Sequence, residues 1–368
     1  MAQKIITDFV KSVDEHVYPQ YDLFIKQFEY TNGYKNVSFT EARVDFKKML
    51  TPFCVHIKEI FKNGLQYLQQ YSEHGIDGVP EDIKEILECL VNFLENKDRH
   101  LKCLVAFMDD DKEKTIPNRM RGPIYTFLLA EHLFSPLIPG HAYYLDRNHF
   151  SNELVSCPGE CGVTCIDRLD KSTGMGNENV WHGFSDILID KRVPVSVVLE
   201  EVEELEETDD LFIEVKQPKE KLKVPNTVAQ TVSLTIVNSF LQSKSGIVPT
   251  LCMSFGYLMI YMYDSENDIF LMSSTESPLK LFSESTKNFV DNHVIYLWML
   301  LNYAICEKKP TEKFVQYCKK NNLLSGFPEQ VKDKIHIYRK CLNQNLCSFP
   351  RVKEEKETEI APHRLPYN

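Results

Sequence analysis

The chain has 368 residues, 43% of them hydrophobic, and a formal net charge of -11. That apolar share supports a sizeable core and excludes wholesale disorder, while the acidic balance excludes a generally basic nucleic-acid-binding chain and leaves room for a local basic site. Eleven cysteines lie scattered behind a start with no secretory pattern, which points to a reducing compartment, cytoplasm or nucleus, and no apolar run reaches the ~18 residues of a membrane span.

Residues 1–115 read as helical. Ile5, Ile6, Phe9, Val10 and Val13 recur at helical spacing, as do Ile57, Ile60, Phe61, Leu65 and Leu68. Ile83, Ile86, Leu87, Leu90, Val91 and Leu94 draw the clearest stripe, with Pro80 as a start signal. The polar run at 109–114 reads as a linker, so a helical N-terminal region, 1–115, is expected to precede a second domain, 116–346. Those first helices are where a protein partner is expected.

Pro123 to Phe134 reads as a helix, ended by Pro136 and Pro139. Residues 140–180 are irregular. Strand signals then dominate: FSDILID (184–190), VPVSVVLE (193–200) and LFIEVK (211–216). Pro225 and Asn226 open a helix that runs to about Gln242. Residues 250–264 and 268–274 read as two further strands around a Ser-Glu-Asn turn. Helices follow at about 286–306 and 311–346; His293 to Cys306 is apolar enough for a buried core helix. The charged tail, 347–368, is read as disordered. The fold class is α/β: a mixed central sheet flanked by helices, with an α-helical N-terminal region.

Two of the strands carry charge among core residues. Side chains alternate faces along a strand, so Asp186 shares a face with Phe184 and Leu188, and Glu214 and Lys216 share one with Phe212. An unpaired carboxylate in a core is costly, and two together repel. A divalent cation resolves both problems: Mg²⁺ takes one or two carboxylates and keeps its other positions for water and phosphate. A lysine two residues on can hold the attacking water or stabilise the phosphate in the transition state.

Gly183-Phe-Ser-Asp186, a hairpin, and then Ile213-Glu214-Val215-Lys216 together resemble the PD-(D/E)XK nuclease motif, in its lambda-exonuclease and RecB form. The resemblance covers about residues 123–275. It implies a restriction-endonuclease-like core and a phosphodiester hydrolase acting on DNA, or on RNA, with Mg²⁺ or Mn²⁺. Asp186 and Glu214 would ligate the ion, helped by the Val215 carbonyl. Lys216 would orient the nucleophile, and Gln230, in the following helix, would brace the site or touch the substrate. Glu131, on the stripe of Ile124, Phe127 and Leu128, is a further candidate ligand. Two departures stand out. Ser185, not proline, precedes Asp186, and 27 residues separate Asp186 from Glu214, a gap that the acidic run Glu200–Asp210 would fill as an extended hairpin tip.

Plainer readings exist for each residue. Asp186 can end a strand or bind a loop amide, and Glu214 with Lys216 can be an exposed edge pair of little energetic weight. Lys216, Lys219, Lys221 and Lys223 can meet phosphates or form an ordinary polar loop. Trp181 and His182 can stack on a base or pack in the core. Cys157, Cys161 and Cys165, with His149 or His182, have zinc-ligand chemistry, but no second pair follows, which favours free thiols. The alternative function is a nuclease-fold module without catalysis, acting as a scaffold that binds nucleic acid or protein. No phosphate-loop, dinucleotide or serine-hydrolase signature is present.

Overall fold

The computed structural model describes residues 1–15, 19–48, 52–107, 118–146, 157, 169–170, 173–198, 218–242, 247–283, 286–307 and 309–344. Helix α1 (Ala2–Asp14) leads into β1 (Leu23–Lys26), β2 (Phe28–Thr31), β3 (Val37–Ser38), β4 (Val44–Phe46) and β5 (Cys54–Val55). A helical stretch follows: α2 (Ile57–Ile60), α3 (Lys62–His74), α4 (Glu81–Phe107) and α5 (Asn118–Leu129), which runs on as a π turn, Ala130–Phe134. Then come β6 (Tyr143–Asp146), β7 (Leu169–Asp170), β8 (Gly174–Gly176), β9 (Trp181–Phe184), β10 (Ile187–Ile189) and β11 (Val193–Val197). After α6 (Pro218–Lys221) and α7 (Pro225–Leu241) lie β12 (Thr250–Ser254), β13 (Tyr257–Asp264), β14 (Ile269–Ser273) and β15 (Leu279–Lys280). The last elements are α8 (Asp291–Leu301), α9 (Tyr303–Cys306), α10 (Glu312–Lys320), α11 (Phe327–Gln330) and α12 (Ile335–Gln344).

One large mixed sheet organises these elements, in the order β5-β1-β14-β13-β12-β11-β10-β6-β7, with β15 also on β13. The β11–β12 and β6–β7 pairs are parallel and the rest antiparallel. A parallel pair needs a crossover, and α7 supplies it between β11 and β12. Both faces of the sheet are covered. Leu258, Ile260 and Met262 of β13 join one core with α1, α3, α4, α5 and α8; Met259, Tyr261 and Tyr263 join a second with α7 and α12. That alternation is the period-2 pleat of a strand buried on both sides. Among the described residues, no helix is long and apolar enough to cross a membrane.

The expectation of a wholly helical segment 1–115 is corrected here. Residues 23–55 hold five short strands, and β1 joins the large sheet between β5 and β14. Strands of two to four residues leave little periodicity to read, and the partner of β1 lies far along the chain. Nor does the boundary near 115 separate two cores: Trp298 Nε1 on α8 donates to the Ile86 carbonyl on α4 at 2.9 Å, and the Tyr296 hydroxyl donates to the Tyr21 carbonyl at 3.0 Å. The tail 347–368 lies outside the described residues.

The stretch 250–264, read as one strand, is a hairpin. Phe255 and Gly256 take φ of 40° and 83°, reversing the chain between β12 and β13. Continuous apolar sequence on both sides hid this turn. A Cβ at Gly256 would meet Phe282 Cδ2 at 2.5 Å. Gly256→Ala is therefore expected to destabilise the fold by about 1–3 kcal/mol, through backbone strain and this clash, read as a lower urea midpoint. An unchanged midpoint would show that the turn relaxes freely.

His293 opens α8 with Nδ1 bonded to the Lys280 carbonyl and its ring edge-on to Tyr21 at 5.7 Å. Burial holds its imidazole below the ordinary value of 6.5, against the raising effect of that bond. On acidification the unfolded chain takes up this proton first. The contribution of His293 is thus complete above about pH 6.5 and declines as pH falls below it. Between about pH 7 and about pH 5, His293→Gln is expected to lose less thermal stability than the native chain; equal slopes would count against this assignment.

Candidate functional site

Asp186 lies at a junction between sheets. β9 belongs to a three-stranded sheet with β3 and β8, whereas β10 belongs to the large sheet, so FSDILID bends at Ser185 and Asp186 instead of running as one strand. Beyond the bend the expected alternation holds: Ile187 and Ile189 enter one core and Leu188 the other. Asp186 is half-buried. Its Oδ2 accepts the Val197 amide at 2.7 Å, so the end of β11 anchors it, as a strand-closing aspartate would be anchored.

The residue opposite Asp186 is Asp146, at the end of β6. Leu145 pairs with Ile187, and the Asp146 amide donates to the Asp186 carbonyl at 3.0 Å. Directly opposed residues of antiparallel strands project to the same face with Cβ atoms about 4.5–5.5 Å apart. Asp146 is only 3% exposed. On the far side of β6, β7 sets Asp170 in register with Asp146. Three aspartate positions therefore stand in a row at one end of three neighbouring strands. Sequence reading missed Asp146 and Asp170 because their strands are short and lie in the stretch read as irregular. The signal was Tyr143-Tyr-Leu-Asp146, an apolar run ending in a carboxylate as Asp186 begins one.

The charge of Asp186 is felt on the side covered by α7. Burial pushes the Cys252 thiol up to about 12; a hydrogen bond with Thr231 opposes the shift, and the Asp186 carboxylate adds to it. Thr231 is on α7, and Gln230 is its neighbour there, half-buried, with its carbonyl accepting Ser233 Oγ at 2.8 Å. Gln230 thus stands on the helix that covers the Asp186 side of the sheet.

Glu131 stands elsewhere. Its Oε2 accepts the Tyr143 hydroxyl at 2.6 Å, and Tyr143 pairs with Ile189 in the core on the other sheet face. The expected stripe assumed an α-helical period through Glu131, but the helix widens to a π turn at Ala130. Glu131 nevertheless faces the same core as Ile124, Phe127 and Leu128, the one that also holds Tyr143.

Glu214, Val215 and Lys216 lie outside the described residues, as do Glu200–Asp210, Cys161, Cys165 and His149. The chain is described again at α6, which packs on β12. Lys223 is engaged by Glu220 at 3.3 Å and Glu276 at 3.6 Å. Trp181 is a core residue: fully buried, it donates from Nε1 to Asn32 Oδ1 at 2.9 Å and stacks on Phe327 at 5.6 Å. His182 Nδ1 lies 3.0 Å from the Val180 carbonyl.

Asp146 and Asp186 fit a hard divalent cation in their chemistry: two carboxylates at directly opposed positions of adjacent strands. No family model matches the chain, and neither a curated protein nor a solved structure is similar to it.

Proposed function

We propose that the chain is a metal-dependent phosphodiesterase of the PD-(D/E)XK kind, acting on nucleic acid, DNA before RNA, inside the cell. The observation that carries this reading is the pair Asp146 and Asp186, opposed across β6 and β10 within a unit that runs helix, antiparallel strands, crossover helix, strand: α5, β6, β10, β11, α7 and β12. The third strand expected before that crossover helix, 211–216 with Glu214 and Lys216, lies outside the described residues. Asp186, with Asp146 beside it, holds Mg²⁺ or Mn²⁺, together with Glu214 and the Val215 carbonyl. When bound, the ion supplies charge neutralisation at the scissile phosphate. Lys216 orients the attacking water, and Gln230 braces the strand ends from α7.

A second reading, the same fold without catalysis, is favoured by one contact. The Asp186 carboxylate accepts the Val197 amide, and this strand-closing role would survive the loss of any activity. Incubating the purified chain with labelled linear, circular and single-stranded DNA and with RNA, in Mg²⁺ and in Mn²⁺, separates the two. Metal-dependent cleavage that Lys216→Ala abolishes supports the nuclease. Binding without cleavage on every substrate supports the scaffold, and neither binding nor cleavage overturns both as nucleic-acid functions.

A further inference from the structure

A second cluster of ligating side chains lies on other elements and has different chemistry. Cys103 is on α4, His132 in the π turn after α5, and Cys157 follows β6 in the chain. One ligand atom from each lies within 4.8 Å of the others, and His132 Nε2 is 3.3 Å from Cys157 Sγ. All three are buried, at 2%, 5% and 8% exposure. His100 is one turn before Cys103 on the same face of α4. Its ring centroid is 5.8 Å from that of His132, and its buried Nδ1 has no hydrogen-bond partner.

We propose that Cys103, His132 and Cys157 bind a structural Zn²⁺ ion, with His100 as the fourth ligand. Zn–S bonds of about 2.3 Å and Zn–N bonds of about 2.0 Å in a tetrahedron put neighbouring ligand atoms roughly 3.3–3.8 Å apart. The His132–Cys157 pair is already at that spacing. Cys103 Sγ then needs a shift on the order of 1 Å, and the His100 ring, which lies outside the 4.8 Å group and stacks on Phe93 at 5.1 Å, must turn toward the ion. Soft thiolates with imidazoles select zinc over the hard cations suited to carboxylates, so this site is distinct from the aspartate row. On binding, each thiol gives up its proton to solvent, and the two thiolates balance the two charges of the ion. That neutrality suits an apolar surrounding, in which an unbalanced charge would be costly.

The π turn supports the assignment independently. Such widened turns are rare and occur frequently at functional sites, and this one sets His132 in the cluster. Zinc-ligand chemistry is visible in the sequence as Cys157-x₃-Cys161-x₃-Cys165, but the partners of Cys157 come from α4 and the π turn, 54 and 25 residues earlier in the chain. The ion would tie α4 to α5 and to the chain beyond β6.

The test is metal analysis and cobalt spectroscopy of the purified full-length chain. The expected result is one zinc per chain, and after exchange with Co²⁺ the thiolate-to-cobalt charge-transfer band and strong d–d bands of a tetrahedral S₂N₂ site. Cys103→Ser and Cys157→Ser should each weaken zinc retention against a competing chelator by about 10²-fold or more, and His100→Ala by about 10-fold or more. Removing the metal should lower Tm by about 5 °C or more. Native chain without stoichiometric zinc, stoichiometric iron or copper instead, or a Cys103–Cys157 disulfide in unreduced protein would each overturn the proposal. So would zinc retained equally by both serine variants. The native-chain measurements decide the matter even where a variant fails to fold.

Discussion

Asp186→Asn is expected to lower the rate of phosphodiester cleavage by about 10²–10³-fold or more, with the fold intact. Asparagine keeps an oxygen that can accept the Val197 amide, so the anchor at the end of β11 survives while the negative charge is lost. Asp146→Asn should show a similar loss, since the two residues oppose each other across β6 and β10. Higher Mg²⁺ should partly rescue both variants if their defect is weakened ion binding. Glu131→Gln is the matched control. Its carboxylate is bonded to Tyr143 on the other sheet face, and its rate should stay within about threefold of the native chain. Rates measured at saturating substrate, beside thermal melts, check all three. A native rate in Asp186→Asn would remove this residue from the active centre. A loss in Glu131→Gln as large as in Asp186→Asn would move the centre to the other side of the sheet.

Trp298→Ala should destabilise the fold by about 4–6 kcal/mol, well beyond the cost expected for Gly256→Ala. Trp298 is fully buried, and deleting its side chain leaves a large cavity between α8 and the helices on that face of the sheet, at about 3–5 kcal/mol. The lost bond from Nε1 adds about 1 kcal/mol, because it leaves the Ile86 carbonyl short of a partner. Trp298→Phe keeps most of the volume and loses the bond, so a smaller cost of about 1–2 kcal/mol is expected. Urea unfolding of the three proteins reads the difference. Near-equal midpoints would mean that the helices on this face can close over the gap.

Much of the second half of the fold was legible because its elements are long or strongly patterned. The helix at 225–241 and the buried helix at 291–301 were anticipated, and the strand read over 184–190 is found as two, at 181–184 and 187–189. The strands at 23–55 were not, because each is short and β1 depends on a partner in β14 that no local pattern reveals. The turn at Phe255 and Gly256 was hidden for the opposite reason. With both faces of β12 and β13 buried, Ser254 and Gly256 are the sole punctuation in a long apolar run. At the candidate site, Asp186 stood out because it breaks an apolar run. Asp146 did not, since four residues in an irregular stretch carry no weight alone, and only strand pairing sets it opposite Asp186. Cys103 and His132 were equally silent: on one chain each is an ordinary helical residue, and only the packing of α4 against α5 and its π turn unites them with Cys157.

The pairing of β1 with β14 also orders events at the ribosome. Leu23 to Lys26 are synthesised early, yet their partners Phe270 to Ser273 emerge about 250 residues later. At about 5–20 residues per second, that is a delay of roughly 10–50 s. During this interval the nascent chain holds an apolar strand, Leu23-Phe-Ile-Lys, whose earlier sheet partner among the described residues is the two-residue β5. Such an edge is open to pairing with the same segment of a neighbouring chain on a polysome. A chaperone that engages the first sixty residues during synthesis would thus act at the point where this molecule is most exposed to misassembly.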